Sequence, residues 1–179
     1  MLSLSKVFRP LYGMPSWNVH RGWGSFLTFE FGEPHLDIRE PQRPKHKVSR
    51  KVRRLLARRL VTVKGDWHLW IYCCNWRVRV GNRVVGDTRS KAAIDRAARE
   101  LDGQALKRAV ALPQPGCSRF EFDLGGVLET QPYDKESEQW FLYDPEGYVL
   151  TMRWDGLCSY KRADLPGDQA TWHRVRIVA

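Results

Sequence analysis

Arginine and lysine are concentrated in one short segment of the chain. Residues 39–59 contain ten of the 30 basic residues and one of the 20 acidic residues, so the rest of the chain is nearly neutral. Seven of the ten are arginines, whose planar guanidinium group binds phosphate or carboxylate oxygens in pairs. Because like charges at this density repel one another, the segment predicts an anionic partner, nucleic acid first. The predicted contact residues are Arg43, Lys45, Lys47, Arg50, Lys51, Arg53, Arg54 and Arg58.

Other interpretations of this segment stay open from the sequence. The same cations suit the carboxylates of an acidic protein surface, as in an accessory or immunity-type protein. Without any partner, the segment would be a solvated helix face whose charges are balanced by acids elsewhere. A membrane surface is disfavoured, because the apolar side of the segment has valine and leucine but neither tryptophan nor phenylalanine. The predicted partner is therefore nucleic acid or an acidic protein.

Aromatic side chains beside a cationic surface can stack on unpaired bases. The aromatic residues to consider are Trp17, Trp23, Trp70, Tyr72 and Trp76, and of these Trp17, Trp23 and Trp76 are the predicted stacking residues. Trp67, Trp70 and Trp140 lie within apolar strands and are expected in the core. An aromatic cleft beside the basic segment would favour single-stranded nucleic acid, whereas a smooth basic face would favour a duplex or a protein.

Four carboxylates recur at equivalent places in the two halves of the chain: Glu30, Asp37, Asp123 and Glu129. Paired carboxylates can hold a metal ion or share acid and base roles, so a metal-dependent hydrolase is a third hypothesis. Strand geometry favours a simpler interpretation, because Glu30 and Asp123 fall in the polar phase of their strands, where exposure needs no function. The five histidines are scattered without a second ligand at metal spacing.

Sequence motifs of catalysis are missing. The chain has no GxSxG, no phosphate loop of the Walker type, no HExxH, and no GxGxxG after a strand. The sequence therefore predicts a binding module rather than an enzyme, with no catalytic residue, no metal site and no cofactor.

Strand signals dominate among the elements that must position these residues. Residues 25–32 alternate apolar with polar side chains, and residues 35–39 return as the second strand of a hairpin. Residues 59–64, 67–73 and 76–80 continue as a meander. In residues 67–73 both alternating sets are apolar or aromatic, which predicts a strand that is covered on both faces.

Two helices are predicted to interrupt the strands. One spans residues 91–101, between an N-cap at Ser90 and a stop at Asp102-Gly103. The other is the basic segment itself, residues 45–58, in which valine and leucine at helical spacing lie opposite the basic side chains.

The two halves of the chain share a pattern of strands. Leu27-Thr-Phe-Glu-Phe-Gly matches Phe120-Glu-Phe-Asp-Leu-Gly, and Trp67-His-Leu-Trp matches Trp140-Phe-Leu-Tyr. These matches predict an internal duplication in a single α+β domain of mostly antiparallel β-sheet, with one helix between the units and the basic helix inserted in the first. The predicted parts are an N-terminal loop region (1–24), the first β unit (25–88) with the basic insertion (39–59), the connecting helix (89–103) and the second β unit (104–179).

The second half carries a resemblance to a known class of domain. It consists of Leu101-Asp-Gly-Gln-Ala-Leu, Phe120-Glu-Phe-Asp-Leu-Gly-Gly-Val-Leu, Trp140-Phe-Leu-Tyr-Asp-Pro-Glu-Gly-Tyr-Val-Leu and Asp155-Gly. This stretch resembles small uncharacterised bacterial β-rich domains, some of which are similar to immunity proteins that neutralise polymorphic toxins. The resemblance implies a β-rich fold and transfers no functional residue. The basic insertion departs from it, since a protein that blocks a cationic nuclease is more naturally acidic.

Several sequence features bear on the compartment. No window approaches the roughly 18 consecutive apolar residues of a membrane helix, and the N-terminus lacks the apolar core of a secretory signal. The four cysteines form no CxxC motif and are expected to be free thiols. These features predict a cytoplasmic protein with no membrane span, and they leave the oligomeric state open.

Overall fold

The computed structural model describes residues 2–44 and 46–177. Antiparallel strands dominate this part of the chain and three short helices accompany them, so the protein is a β-rich α+β protein, as predicted. The helices are α1 (Leu4–Phe8), α2 (Arg50–Leu56) and α3 (Lys91–Leu101). The strands are β1 (Trp17–Arg21), β2 (Leu27–Phe31), β3 (His35–Arg39), β4 (Leu60–Lys64), β5 (Trp67–Ile71), β6 (Cys74–Val80), β7 (Arg83–Asp87), β8 (Leu106–Ala111), β9 (Ser118–Phe122), β10 (Gly126–Pro132), β11 (Glu138–Tyr143), β12 (Tyr148–Arg153), β13 (Leu157–Arg162) and β14 (His173–Arg174).

Two large sheets pack face to face around the core. One sheet has the strand order β1-β2-β5-β11-β12-β13-β14, and the other has the order β7-β6-β10-β9-β8. Aromatic rings join the sheets across the interior: Phe29 lies 6.2 Å from Phe122, and Trp140 lies 5.6 Å from Phe120, between ring centroids. The Trp140 indole is fully buried and donates to the Ser118 hydroxyl at 3.0 Å, which satisfies its polar group inside the core.

Helix α3 covers one end of this sandwich and packs on β7 and β1. The Ser90 side chain accepts the Ala93 amide, which satisfies one of the free donors at the start of the helix. Close approach of α3 to β7 depends on Gly86, because a Cβ there would lie 2.2 Å from the Ala93 carbonyl oxygen. None of the helices in the described residues is long and apolar enough to cross a bilayer.

The N-terminal residues differ from the sequence prediction. Residues 1–24 are predicted as a loop region, but the described part forms α1, a 3-10 helix at Arg9–Leu11 and β1. Leu4, Phe8 and Leu11 are buried, and Phe8 packs edge-on against Trp140. The prediction is wrong here because these helices are too short for a periodic pattern and are stabilised by core contacts instead.

Strand pairing does not repeat between the two halves of the chain. The sequence match equates β2 with β9, but β2 pairs with β1 and β5, whereas β9 pairs with β8 and β10. The matching segments that begin at Trp67 and Trp140 lie in β5 and β11, which are antiparallel neighbours in one sheet. The two segments are similar in sequence because neighbouring strands share the same inner and outer faces of one sheet. Leu69 lies opposite Leu142 on the inner face, and His68 lies opposite Tyr143 on the outer face.

Strands β3 and β4 leave the sandwich as a separate two-stranded sheet. In sequence they come between β2 and β5, which pair directly with each other in the larger sheet. Residues 33–64 are therefore a single insertion between two paired strands. We call this insertion the arm. No described residue of the arm is buried, so the arm contributes nothing to the core.

Candidate nucleic-acid interface

The arm carries the basic residues at its far end. Helix α2 spans Arg50–Leu56 and is therefore shorter than the predicted 45–58 helix. It begins at Arg50 because the Ser49 side chain accepts the Val52 amide at 3.3 Å and caps the helix, so the residues before Ser49 stay outside it. No residue of α2 is buried, so both its apolar and its basic side chains face solvent.

Seven of the eight predicted contact residues lie in the described part of the chain, and all seven are exposed. Lys45 lies outside the described residues. Among the described residues, none of the seven forms an ion pair with a carboxylate. The seven are Arg43, Lys47, Arg50, Lys51, Arg53, Arg54 and Arg58.

The two remaining bases of the segment hold the arm together. Arg59 forms a bidentate pair with Glu40, with Nε 3.0 Å from Oε1 and Nη2 2.8 Å from Oε2. Arg39 donates to the Leu55 carbonyl oxygen at 3.1 Å, which ties α2 to β3. Of the nine described bases of the segment, two are structural and seven have no carboxylate partner among the described residues.

Glu30 fixes the foot of the arm. Its carboxylate accepts the Gly65 amide at 3.0 Å and the Nδ1–H of His68 at 2.7 Å, and its side chain is only 4% exposed. A Cβ at Gly65 would lie 2.4 Å from the Phe31 carbonyl oxygen, so the backbone segments that enter and leave the arm lie very close together at this point. Asp66 closes the other side by accepting the Glu33 amide at 2.9 Å. The direction of the arm is thus set by packing and hydrogen bonds at its foot.

The three tryptophans proposed for stacking have different environments. Trp76 is only 3% exposed and its indole donates to the Ser25 carbonyl oxygen at 2.7 Å, so the prediction that it stacks on a ligand is wrong. Trp17 is half-buried and donates to the Gly32 carbonyl oxygen at 3.0 Å, which makes it a brace beside the foot of the arm. Trp23 is 87% exposed in the loop before β2 and stays available for contact.

Aromatic side chains that the sequence prediction did not select line the outer face of the larger sheet. Trp70 was expected in the core, but it points outward from β5 and is half-buried. On β11, Phe141 lies opposite Trp70 and Tyr143 lies opposite His68, both half-buried. For Trp70 the sequence signal is the double apolar pattern of residues 67–73, which predicts burial on both faces and is wrong for the outer face.

Comparison with known proteins identifies no relative. The chain matches no protein-family model, no curated protein and no solved structure.

The four recurring carboxylates all have partners of their own. Glu30 binds His68, and Asp37 pairs with Lys64 at 2.7 Å, a contact that holds the pKa of Asp37 below its ordinary value. Asp123 accepts the Ala105 amide at 2.7 Å. The fourth, Glu129, pairs with Arg119 at 2.8 Å and with Arg79 at 3.2 Å on the outer face of the five-stranded sheet.

This distribution bears on the hydrolase hypothesis. In the residues that the structure describes, no group of three or more histidine, cysteine and carboxylate side chains is arranged to hold a metal ion. Glu30 lies in β2 of the seven-stranded sheet, whereas Asp123 lies in the turn after β9 of the five-stranded sheet. Asp37 lies in β3 of the arm, whereas Glu129 lies in β10 of the five-stranded sheet. Among the described residues, the four carboxylates therefore do not form the shared site that the hydrolase hypothesis requires.

Proposed function

We propose that the protein binds nucleic acid through the arm. The observation that carries the proposal is a set of seven exposed basic side chains, gathered within 16 positions from Arg43 to Arg58, that have no carboxylate partner among the described residues. Phosphate oxygens would supply the missing counter-charges, and arginine presents the paired donors that suit them. The sandwich itself is nearly neutral, so it acts as a scaffold that holds the cations in one place.

The construction of the arm suits this role. Ion pairs at Glu40 and Asp37 stiffen its two strands without using the cations near its tip. Because α2 buries no side chain, the contact residues are free to follow the shape of a phosphate backbone. We infer that the arm is an insertion into a β-rich scaffold and that it carries the binding function.

Charge reversal in the arm tests the proposal. Arg50→Glu/Arg54→Glu/Arg58→Glu changes the net charge by six units in a region that buries nothing, so the fold should persist. Binding to a nucleic-acid probe, measured by fluorescence anisotropy, is expected to disappear, while circular dichroism and the melting temperature stay close to those of the wild type. Undiminished binding by this folded variant would contradict the proposal.

An acidic protein surface is the second candidate partner, and a specific observation favours it. One face of the arm presents a row of apolar side chains that are each about half exposed: Leu36, Ile38, Val61 and Val63. These residues form the cross-strand pairs Leu36 with Val63 and Ile38 with Val61. An apolar row beside cations is typical of a surface that docks a protein.

One experiment separates the two candidates. The tagged protein is captured from a lysate before and after nuclease treatment, and the Leu36→Ser/Val63→Ser variant is captured in parallel. Loss of all partners after nuclease supports nucleic acid. A defined acidic protein that survives nuclease but is lost with the Ser variant supports the protein partner.

A further inference from the structure

Six aromatic rings form a continuous row on the outer face of the larger sheet. The centroid distances are 4.6 Å for Phe26 to Tyr72, 4.7 Å for Tyr72 to Trp70 and 5.6 Å for Trp70 to Phe141. Phe141 then lies 6.4 Å from Tyr143, which lies 5.9 Å from His68. We call these residues the aromatic row. All six side chains are half-buried, so their rings are packed against one another while part of each stays open to solvent.

The aromatic row runs to the foot of the arm. A cavity of about 520 Å³ lies there, lined by His68, Trp70 and Tyr143 from the sheet and by His35 and Lys64, the first and last residues of the two arm strands. This volume lies in the range that accommodates small organic ligands. The arm and the aromatic row therefore share one cavity and form a continuous surface.

A second, smaller cavity extends the same surface across the sheet. It measures about 180 Å³, and Phe141 and Tyr143 line it together with Trp172 from the C-terminal segment. Arg153 stacks over the Trp172 ring at 4.6 Å and helps to hold that segment against the sheet. Tyr143 lines both cavities, so they lie side by side on the outer face of the sheet, and we call the two together the groove.

The polar groups of the groove suit a neutral, hydrogen-bonding ring. His68 Nδ1 lies 2.7 Å from the Glu30 carboxylate, which holds the imidazole ring in a fixed orientation. The Tyr143 hydroxyl is protonated and able to donate at neutral pH, since the ordinary pKa of a phenol is 10.0 and burial raises the pKa of Tyr143 further.

The charges of the larger cavity disfavour a phosphate group inside it. Asp66 and Asp144 line the cavity, and both accept hydrogen bonds from neighbouring amides, which keeps their carboxylates fixed in place. Phosphate oxygens would be repelled by these carboxylates and by Glu30, and Lys64 already pairs with Asp37. The groove therefore fits the base of a nucleotide, and the tip of the arm fits its phosphates.

We propose that the aromatic row binds unpaired bases of the strand whose phosphates the arm holds, so that the ligand is single-stranded nucleic acid. This inference rests on the proposed function of the arm. Bases of a duplex are stacked and paired and do not reach a sheet surface, whereas single strands stack their bases on exposed aromatic side chains in many sheet-based binding proteins.

The test compares aromatic and arm variants on single-stranded and duplex probes. The probes are a fluorescent oligo-uridylate of about twelve nucleotides, which falls within the site sizes of single-strand binding folds, and its duplex with oligo-adenylate. Tyr143→Leu keeps the apolar volume but removes the aromatic face, and Tyr133→Leu, at a tyrosine that is 73% exposed outside the row, is the matched control. A Phe141→Leu variant provides a second test if Tyr143→Leu is unstable.

The expected results distinguish this inference from the function of the arm. The single strand should bind more tightly than the duplex, and Tyr143→Leu should weaken its binding about ten-fold without changing the salt dependence, because no phosphate contact is lost. Tyr133→Leu should match the wild type. Equal binding of both probes, with Tyr143→Leu and Phe141→Leu unchanged, would overturn the inference and leave the arm as the binding element. Loss of affinity in Tyr143→Leu together with intact binding after arm charge reversal would overturn the proposed function instead.

Discussion

The salt dependence of binding gives the most direct measure of how the arm works. Each phosphate neutralised on a single strand contributes about −0.7 to the slope of log affinity against log salt concentration. If all seven described cations engage phosphates, the slope is about −5. Raising the salt from about 50 to about 200 mM should then weaken binding roughly 1000-fold.

Removing three of these cations should change the slope by a calculable amount. The Arg50→Ala/Arg54→Ala/Arg58→Ala variant retains four of the seven cations, so its slope should be about −3 and the same change in salt should weaken binding only about 50-fold. Since α2 buries no side chain, this comparison is free of folding effects. The slope therefore counts the contacts that the arm makes.

Anisotropy titrations at several salt concentrations measure these slopes. The matched control is Arg83→Ala/Lys91→Ala/Lys107→Ala, which removes the same charge from exposed positions on β7, α3 and β8. It should keep a slope of about −5, because only the overall charge of the scaffold changes. Equal slopes for both triple variants would show that net charge alone drives binding, and a flat salt dependence in the wild type would refute the phosphate interpretation.

Two further predictions concern the foot of the arm and the buried thiols. Gly65→Ala places a Cβ 2.4 Å from the Phe31 carbonyl oxygen, so it should displace the arm, lower the melting temperature and weaken probe binding. The control is Gly167→Ala, whose Cβ meets no atom within 4 Å and which should leave the melting temperature and probe binding unchanged. Burial raises the pKa of Cys158 from 9.0 to about 11, so the folded state keeps a proton that the unfolded state loses. The resulting contribution to the free energy of unfolding is present below pH 9 and lost as the pH rises through about 11. Urea titrations over this range should show a smaller loss of unfolding free energy for Cys158→Ala than for the wild type. An identical loss in both proteins would contradict the assignment of this pH dependence to Cys158.

The sequence predicts those parts of the protein that depend on local pattern. Alternation predicts the strand at His35–Arg39, and the charge count predicts the cationic segment, because neither depends on distant contacts. The exposure of seven predicted contact residues follows from the same local charge, since an arginine or lysine without a partner is rarely buried. Local pattern thus finds the cationic segment but not the arm. The sequence predicts that residues 35–39 pair with residues 25–32 and that residues 59–64 continue into the next strand of a meander, whereas β3 and β4 pair with each other outside the two large sheets.

The aromatic row could not be predicted in this way. In β5 both alternating sets are apolar or aromatic, so periodicity does not show whether Trp70 or Leu69 faces the core. Pairing with β11 decides the question, because it places Leu69 opposite Leu142 inside and Trp70 opposite Phe141 outside. For Trp76 the opposite holds: the sequence predicts an exposed stacking residue, but the side chain is buried. Its indole donates to the carbonyl oxygen of Ser25, a residue that is distant in sequence.

One buried carboxylate links the two parts of the proposed interface. Glu30 accepts hydrogen bonds both from Gly65, at the foot of the arm, and from His68, at the end of the aromatic row. The arm strands have five residues each, which at about 3.3 Å per residue separates the row from α2 by roughly 17 Å. A strand that reaches both must therefore cross this distance along the arm. Glu30 therefore fixes the position of the arm relative to His68. The fold then sets the order in which the bound strand meets the base contacts, at the foot of the arm, and the phosphate contacts, near its tip.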